Sequence, residues 1–216
     1  MRKWYPAVLI AVTAILSAVA YPRLPATVPS HWNIHGQVNS WQSRERAAFF
    51  VPILLLVVWA AMRGLPKIDP RRANYAKFQP TYDFVIAAVL TMVALVHLAV
   101  LAYALGLPIL IHRIAPVLLG LMLIAIGNQL PRARSNWWFG IRTPWTLSND
   151  RVWERTHRVG GYLLVIAGVA GLLSVALPTV IGFTVFFVAT MAAALGAVAY
   201  SFVAWKQETS PRQEQR

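Results

Sequence analysis

Two stretches hold side chains whose types and spacing can do chemistry. The first is "VPSHWNIHGQVNSW", with His31 and His35 four residues apart. One helical turn would bring both imidazoles to one face, and zinc uses such pairs when a third and fourth ligand join them. No Glu follows His31 as in H-E-x-x-H, and the one carboxylate of the segment is Glu45. The chain has no cysteine, which removes thiolate metal sites, disulfides and a Cys nucleophile. The stretch therefore predicts no metal site but an ordered lid. Pro22, Pro25 and Pro29 keep its start extended. Ser30 caps a short turn that Gly36 ends. In this reading His31, Trp32 and Asn33 bond to the lid's own backbone and pack on the neighbouring span ends, and Trp32 and Trp41 offer a surface suited to an amphipathic ligand.

The second stretch, "NWWFGIRTPWTLSNDRVWERTH", carries four of the nine tryptophans. Around it lie Arg132, Arg134, Arg142, Arg151, Arg155 and Arg158. Guanidinium groups grip phosphate through a planar fork, so a belt at lipid headgroup level accounts for most of this composition. The density of Gly, Pro and Asn also specifies a fixed backbone, which fits a loop that docks a protein. Pro131 stops the preceding span, Gly140 permits a turn, and Thr143-Pro144 forces extended backbone. Arg142, held in that turn, is expected to organise the loop through its fork. Ser148 is expected to be the N-cap of the next helix, with Asp150 in its first turn. Catalysis finds little footing. No Ser or Asp stands at motif spacing from a His, there is no G-x-S-x-G, and chemistry on lipid phosphates through Arg132, Arg134 and Arg142 would lack a base other than His157. The expectation is a protein that is not an enzyme, with no catalytic residue, metal or cofactor.

The elements that must position these stretches are apolar. The chain of 216 residues is 58% hydrophobic and 12% charged, with a net charge of +13. Such a charge suits nucleic acid or anionic lipid. Runs long enough to cross a core of about 30 Å decide for lipid headgroups, without direct nucleic-acid binding. Six spans are expected at 4–21, 47–62, 84–107, 111–130, 160–177 and 180–205, with an outer motif loop at 22–46, a cytoplasmic motif loop at 131–159 and a disordered tail at 206–216. The fold class is an all-α integral membrane protein, a single membrane domain over 1–205 in a cell membrane. Only Arg23, Arg44, Arg46 and Arg113 fall on one side of this layout, and the other side takes the remaining sixteen of the twenty Lys and Arg, Arg2 and Lys3 included. The positive-inside rule then puts both termini in the cytoplasm. Ala18-Val19-Ala20 resembles a signal-peptidase site, but the apolar run is long for a signal, and cleavage is not the favoured reading. His97 lies mid-span and is read as a packing group that bonds a neighbouring hydroxyl or carbonyl. The rival is a transporter or lipid-handling protein with a polar cavity around it.

The two motif stretches together resemble the SdpI immunity-protein family. "VPSHWNIHGQVNSW" is similar to that family's outer-loop signature, and "GNQLPRARSNWWFGIRTPWTLSNDRVWERTHRVGG" to its second, longer one. The positions carrying the resemblance are His31, Trp32, Asn33 and Gly36, then Gly127, Asn128, Asn136, Trp137, Gly140, Ile141, Arg142, Thr143, Pro144, Trp145, Thr146, Leu147, Trp153, Thr156 and His157. Asn39 stands where the family often has an acidic residue. The resemblance implies a bacterial multi-pass membrane protein that confers immunity to a secreted peptide toxin met at the outer face. It further implies a cytoplasmic transcriptional repressor as partner in some members.

Overall fold

The computed structural model describes residues 4–210. Among the described residues, six helices are long and apolar enough to cross a membrane. They are α1 (Tyr5–Ala20), α2 (Arg44–Ile68), α3 (Tyr75–Ala104), α4 (Ile111–Gln129), α6 (Asp150–Ser174) and α7 (Thr179–Thr209). A short α5 (Pro144–Ser148) precedes α6, and strands β1 (Thr27–Trp32) and β2 (Val38–Ser43) form an antiparallel hairpin between α1 and α2. Helix is the form these runs must take, since hydrocarbon offers no partner to a backbone N–H or C=O. Several helices outrun their apolar cores. α3 begins nine residues before Phe84 because Tyr75, Phe78 and Tyr82 bury one face there, and it bends at Phe78 just before Pro80. The tail expected from residue 206 is helical as far as Thr209, since Arg155 holds Gln207 and Arg151 holds Glu208. Arg2, Lys3 and the tail from 211 onward lie outside the described residues.

The helices form two triplets. α1, α2 and α3 pack on one another, α6 packs along both α4 and α7, and the chief helix contact between the triplets is α3 against α4. Glycine sets the closeness of α4 and α6. A Cβ on Gly127 would lie 2.7 Å from the Gly161 carbonyl oxygen, and one on Gly120 would lie 2.7 Å from that of Gly168. Backbones pack this tightly only where small residues face each other. The α1–α3 seam is polar. Ser17 Oγ lies 2.7 Å from His97 Nε2, and Tyr5 Oη lies 2.6 Å from Thr91 Oγ1. His97 is thus bonded to a neighbouring hydroxyl, the kind of contact the sequence suggests.

The lid is a hairpin, not a helical turn. β1 pairs antiparallel with β2 from Thr27 opposite Ser43 to Trp32 opposite Val38, with Val28 and Pro29 buried and Ser30 and His31 facing out. His31 therefore lies on β1 and His35 in the connecting turn, not on one helical face. Ser30 caps nothing; its hydroxyl donates across the hairpin to Ser40. The cap of the turn is Asn33, whose Oδ1 accepts from the backbone N–H of His35 and of Gln37, both at 3.0 Å. Gly36 does close the turn, at a φ of 77°.

Candidate functional site

The inner motif is built on one buried amide. Asn136 is fully buried, and its Oδ1 accepts from the N–H of Trp138 at 2.9 Å and of Phe139 at 2.7 Å. Its Nδ2 donates to the carbonyls of Arg134 at 2.8 Å and Phe139 at 3.0 Å. Both ends of the amide are used, so a single side chain folds the Ser135–Phe139 turn around itself. Beside it lies Asp69, from the turn between α2 and α3. Its Oδ1 accepts from Arg71 N–H at 2.7 Å, and its Oδ2 accepts from Trp137 N–H and from the Tyr75 hydroxyl, both at 2.9 Å. The same hydroxyl lies 3.2 Å from Asn136 Oδ1.

Further bonds tie the loop to the first triplet. Arg71 donates to Ser135 Oγ and, at 2.5 Å, to the Leu147 carbonyl. Asn74 Nδ2 donates to the Ser135 carbonyl at 2.8 Å. The Phe139 ring enters the α2–α3 core, 6.4 Å from Phe78 and 6.3 Å from Tyr82.

The second half of the motif is held by His157. Its ring is fully buried and stacks on Trp153 at 3.9 Å. Nδ1 lies 2.8 Å from the Trp153 carbonyl, so it carries the proton, and Nε2 accepts the Ile141 N–H at 2.9 Å. Both ring nitrogens therefore serve the backbone, in one fixed tautomer. Gly140 makes this fit possible. Its φ is 108°, and a Cβ there would lie 2.2 Å from His157 Nε2. The Trp153 indole N–H donates to the Ala133 carbonyl at 2.9 Å. Thr143 and Thr146 cap α5 reciprocally, Thr146 Oγ1 donates to the Ile141 carbonyl at 2.8 Å, and Thr143 Oγ1 meets Ser201 Oγ of α7 at 3.1 Å. Pro144 opens α5, and Trp145 packs on Phe202 of α7. The Ile141 side chain fills the space left by Gly160, and Thr156 is fully buried.

Three expectations change. Arg142 does not organise the loop: it is exposed and gives one bond, from Nη1 to the Trp137 carbonyl at 2.6 Å, because Asn136 already satisfies the turn. The cap of α6 is Asn149, whose Oδ1 accepts from Arg151 and Val152 N–H, while Ser148 closes α5. Asn128 does not join the loop network; its side chain is exposed on α4. The first-triplet partners Asp69, Arg71, Asn74 and Tyr75 were missed. The signal was there in "IDPRRANY": a rare carboxylate before a proline is a turn former.

At the other end the hairpin tip rests on the second triplet. A Cβ on Gly36 would lie 2.9 Å from His112 Nδ1 in the first turn of α4. Trp32 stands edge-on to Tyr103 of α3 at 5.7 Å, and His31 Nδ1 lies 2.6 Å from Asn39 Oδ1. Trp41 is left 59% exposed.

Six apolar helices, closed at opposite ends by a hairpin and by a hydrogen-bonded loop, make a multi-pass integral protein of a bacterial cell membrane. Residues 132–203 match the SdpI/YfhL protein family, and residues 8–56 match a domain family of unknown function, DUF1648. The immunity protein SdpI of Bacillus subtilis (strain 168) is 24% identical over 161 residues, covering 74% of this chain and 75% of that protein. No solved structure matches the chain. Over its motif loop and last two spans the chain is thus similar to the SdpI/YfhL family.

Proposed function

We propose that this chain protects its cell against a secreted antimicrobial peptide, with the hairpin as the surface the peptide meets. The observation that carries this reading is the similarity to an immunity protein along three quarters of the chain. The hairpin adds a physical reason. It is ordered from within, rests on α4, and still presents Trp41 and His31 outward. A rigid exposed indole is the kind of anchor that carries binding energy at interfaces. The motif loop is the cytoplasmic face in this proposal, because it and the other turns at its end hold most of the basic residues. Both termini then lie inside, and residues 1–205 act as one membrane unit. A relay of toxin binding to a cytoplasmic repressor would use the exposed Trp137 and Trp138 of that loop. The role is binding and signalling, without catalysis. A transport or lipid-handling cavity around His97 has less support, since that ring is buried and bonded to Ser17.

The test is survival of a toxin-sensitive bacterium expressing the chain, with reporter fusions at Gln37 and Asn149. The proposal expects protection, loss of protection in Trp41→Ala at equal membrane abundance, and an outside signal at Gln37 with an inside signal at Asn149. Sensitivity unchanged by the wild-type chain, or reversed reporters, would overturn it.

A further inference from the structure

Most arginines of the motif end have protein partners. Arg134 pairs with Glu154, and Arg151 and Arg155 both reach Glu208. Arg142 bonds the Trp137 carbonyl. Arg158 is exposed and finds no side-chain partner among the described residues, and Arg132 bonds only the neutral Gln129. The exposed Asn128 amide and Tyr162 hydroxyl, each inside a membrane-spanning helix, likewise find none.

These four residues come together. Gly127 meets Gly161 and Gly120 meets Gly168, so α4 and α6 run antiparallel and Asn128 stands level with Gly160, between Arg158 and Tyr162. Asn128 lies about 100° round α4 from Gly127, and Tyr162 lies about 100° round α6 from Gly161. In an antiparallel pair those two rotations lead to the same side. That side faces lipid: Leu121 is 50%, Tyr162 65% and Ile166 64% exposed along it. Arg158, one turn before Tyr162, and Arg132, one turn after Asn128, lie at its motif-loop end. The glycine contact makes the floor between them shallow and backbone-lined.

We propose that this face of α4 and α6 binds one phospholipid with an anionic headgroup, its phosphate gripped by Arg158 and Arg132 and its glycerol region by the Asn128 amide and the Tyr162 hydroxyl. A guanidinium pair matches the paired oxygens of a phosphodiester. The nearest carboxylate on α6, Glu154, is held by Arg134, which leaves the patch with a net positive charge. An exposed amide in a span needs a polar partner at headgroup depth, and a tyrosine is at home there. The acyl chains would lie along Leu121 and Ile166.

Native mass spectrometry of the full chain in mild detergent tests this, with phosphatidylglycerol and phosphatidylcholine as probes and soluble glycerol phosphate as competitor. The expected result is one retained phosphatidylglycerol per chain, little phosphatidylcholine, and no displacement by glycerol phosphate. Arg158→Gln should weaken binding roughly fivefold, the equivalent of about 1 kcal/mol for one basic group at a headgroup. Asn128→Leu should also weaken it, and Arg113→Gln at the other end of α4 should not. Size-exclusion and melting profiles confirm that each variant folds. Wild-type retention in both Arg158→Gln and Asn128→Leu overturns the site. Displacement by glycerol phosphate would make it a soluble-phosphate site, and a lipid-free dimer cross-linked through position 162 would make the face a contact between copies. Either of those also overturns the lipid assignment.

Discussion

Replacing Asn136 with alanine should free the motif loop while leaving the six spans in place. The substitution strands four backbone groups: the N–H of Trp138 and Phe139 and the carbonyls of Arg134 and Phe139. Tyr75 keeps its bond to Asp69, so the damage stays local. Each lost bond is worth about 1 kcal/mol net, and more where water cannot reach the stranded group. The loop sits at the end of the membrane unit, where water can enter once it loosens, so the lower figure applies. Four such bonds amount to about 4 kcal/mol, close to a thousandfold in the loop's opening equilibrium. The chain has no native cysteine, which makes a single introduced thiol a clean reporter. Ser135→Cys is nearly isosteric at a position that is 5% exposed. Maleimide labelling of that thiol should rise by two to three orders of magnitude when Asn136→Ala is added, on the order the bond count gives. Labelling within threefold of the Ser135→Cys parent, with an unchanged melting profile, would refute the claim that Asn136 folds the turn.

Gly140→Ala combines a left-handed backbone, worth about 1–3 kcal/mol for a residue with a Cβ, with a clash that evicts His157 from the Ile141 N–H. Gly106→Ala shares the positive φ, at 87°, but meets nothing within 4 Å. Thermal melting in detergent should show at least about twice the loss for Gly140→Ala; equal losses would mean that the His157 contact contributes nothing. Arg142→Lys should retain protection within roughly threefold, since one ammonium donor can replace the single bond to Trp137. A defect as deep as that of Arg142→Ala would show that the guanidinium fork is needed after all. His97→Leu should fold and protect normally, because Ser17 still donates to the Thr13 carbonyl at 2.9 Å and no buried donor is orphaned. A folded but inactive His97→Leu protein would revive a polar path through the spans.

The six helices were legible because each is an apolar run, and hydrocarbon leaves such a run no other form. The loops were less so, because their order comes from partners distant in sequence. Asp69 reaches Trp137, and Arg71 reaches Leu147, across more than sixty residues, and no local pattern marks such pairs. Asn136 and Gly140 stood out by type, but only the fold shows that one saturates a turn and the other makes room for an imidazole. Arg142 drew attention for its charge, while the work falls to a neutral amide six residues earlier. The hairpin was hidden by Pro29 and by the irregular pairing around His31, which break the two-residue period that would announce a strand. At the α6 cap, Ser148 and Asn149 are both good caps side by side, and only the extended backbone of Asn149 decides between them.

The division into two triplets also orders the protein's birth. A chain leaves the ribosome from its N-terminus, and early units settle before late ones exist. α1, α2, the hairpin and α3 enter the bilayer while the distant partners of Asp69, Arg71 and Asn74 are still unmade. Until Ser135 to Trp137 emerge, the α2–α3 turn must keep its carboxylate and guanidinium in water rather than draw them into lipid. The hairpin tip likewise waits for His112. The arrival of the motif loop then converts two inserted halves into one body, and ribosome-attached chains ending before and after residue 137 should differ in how readily protease cuts the α2–α3 turn.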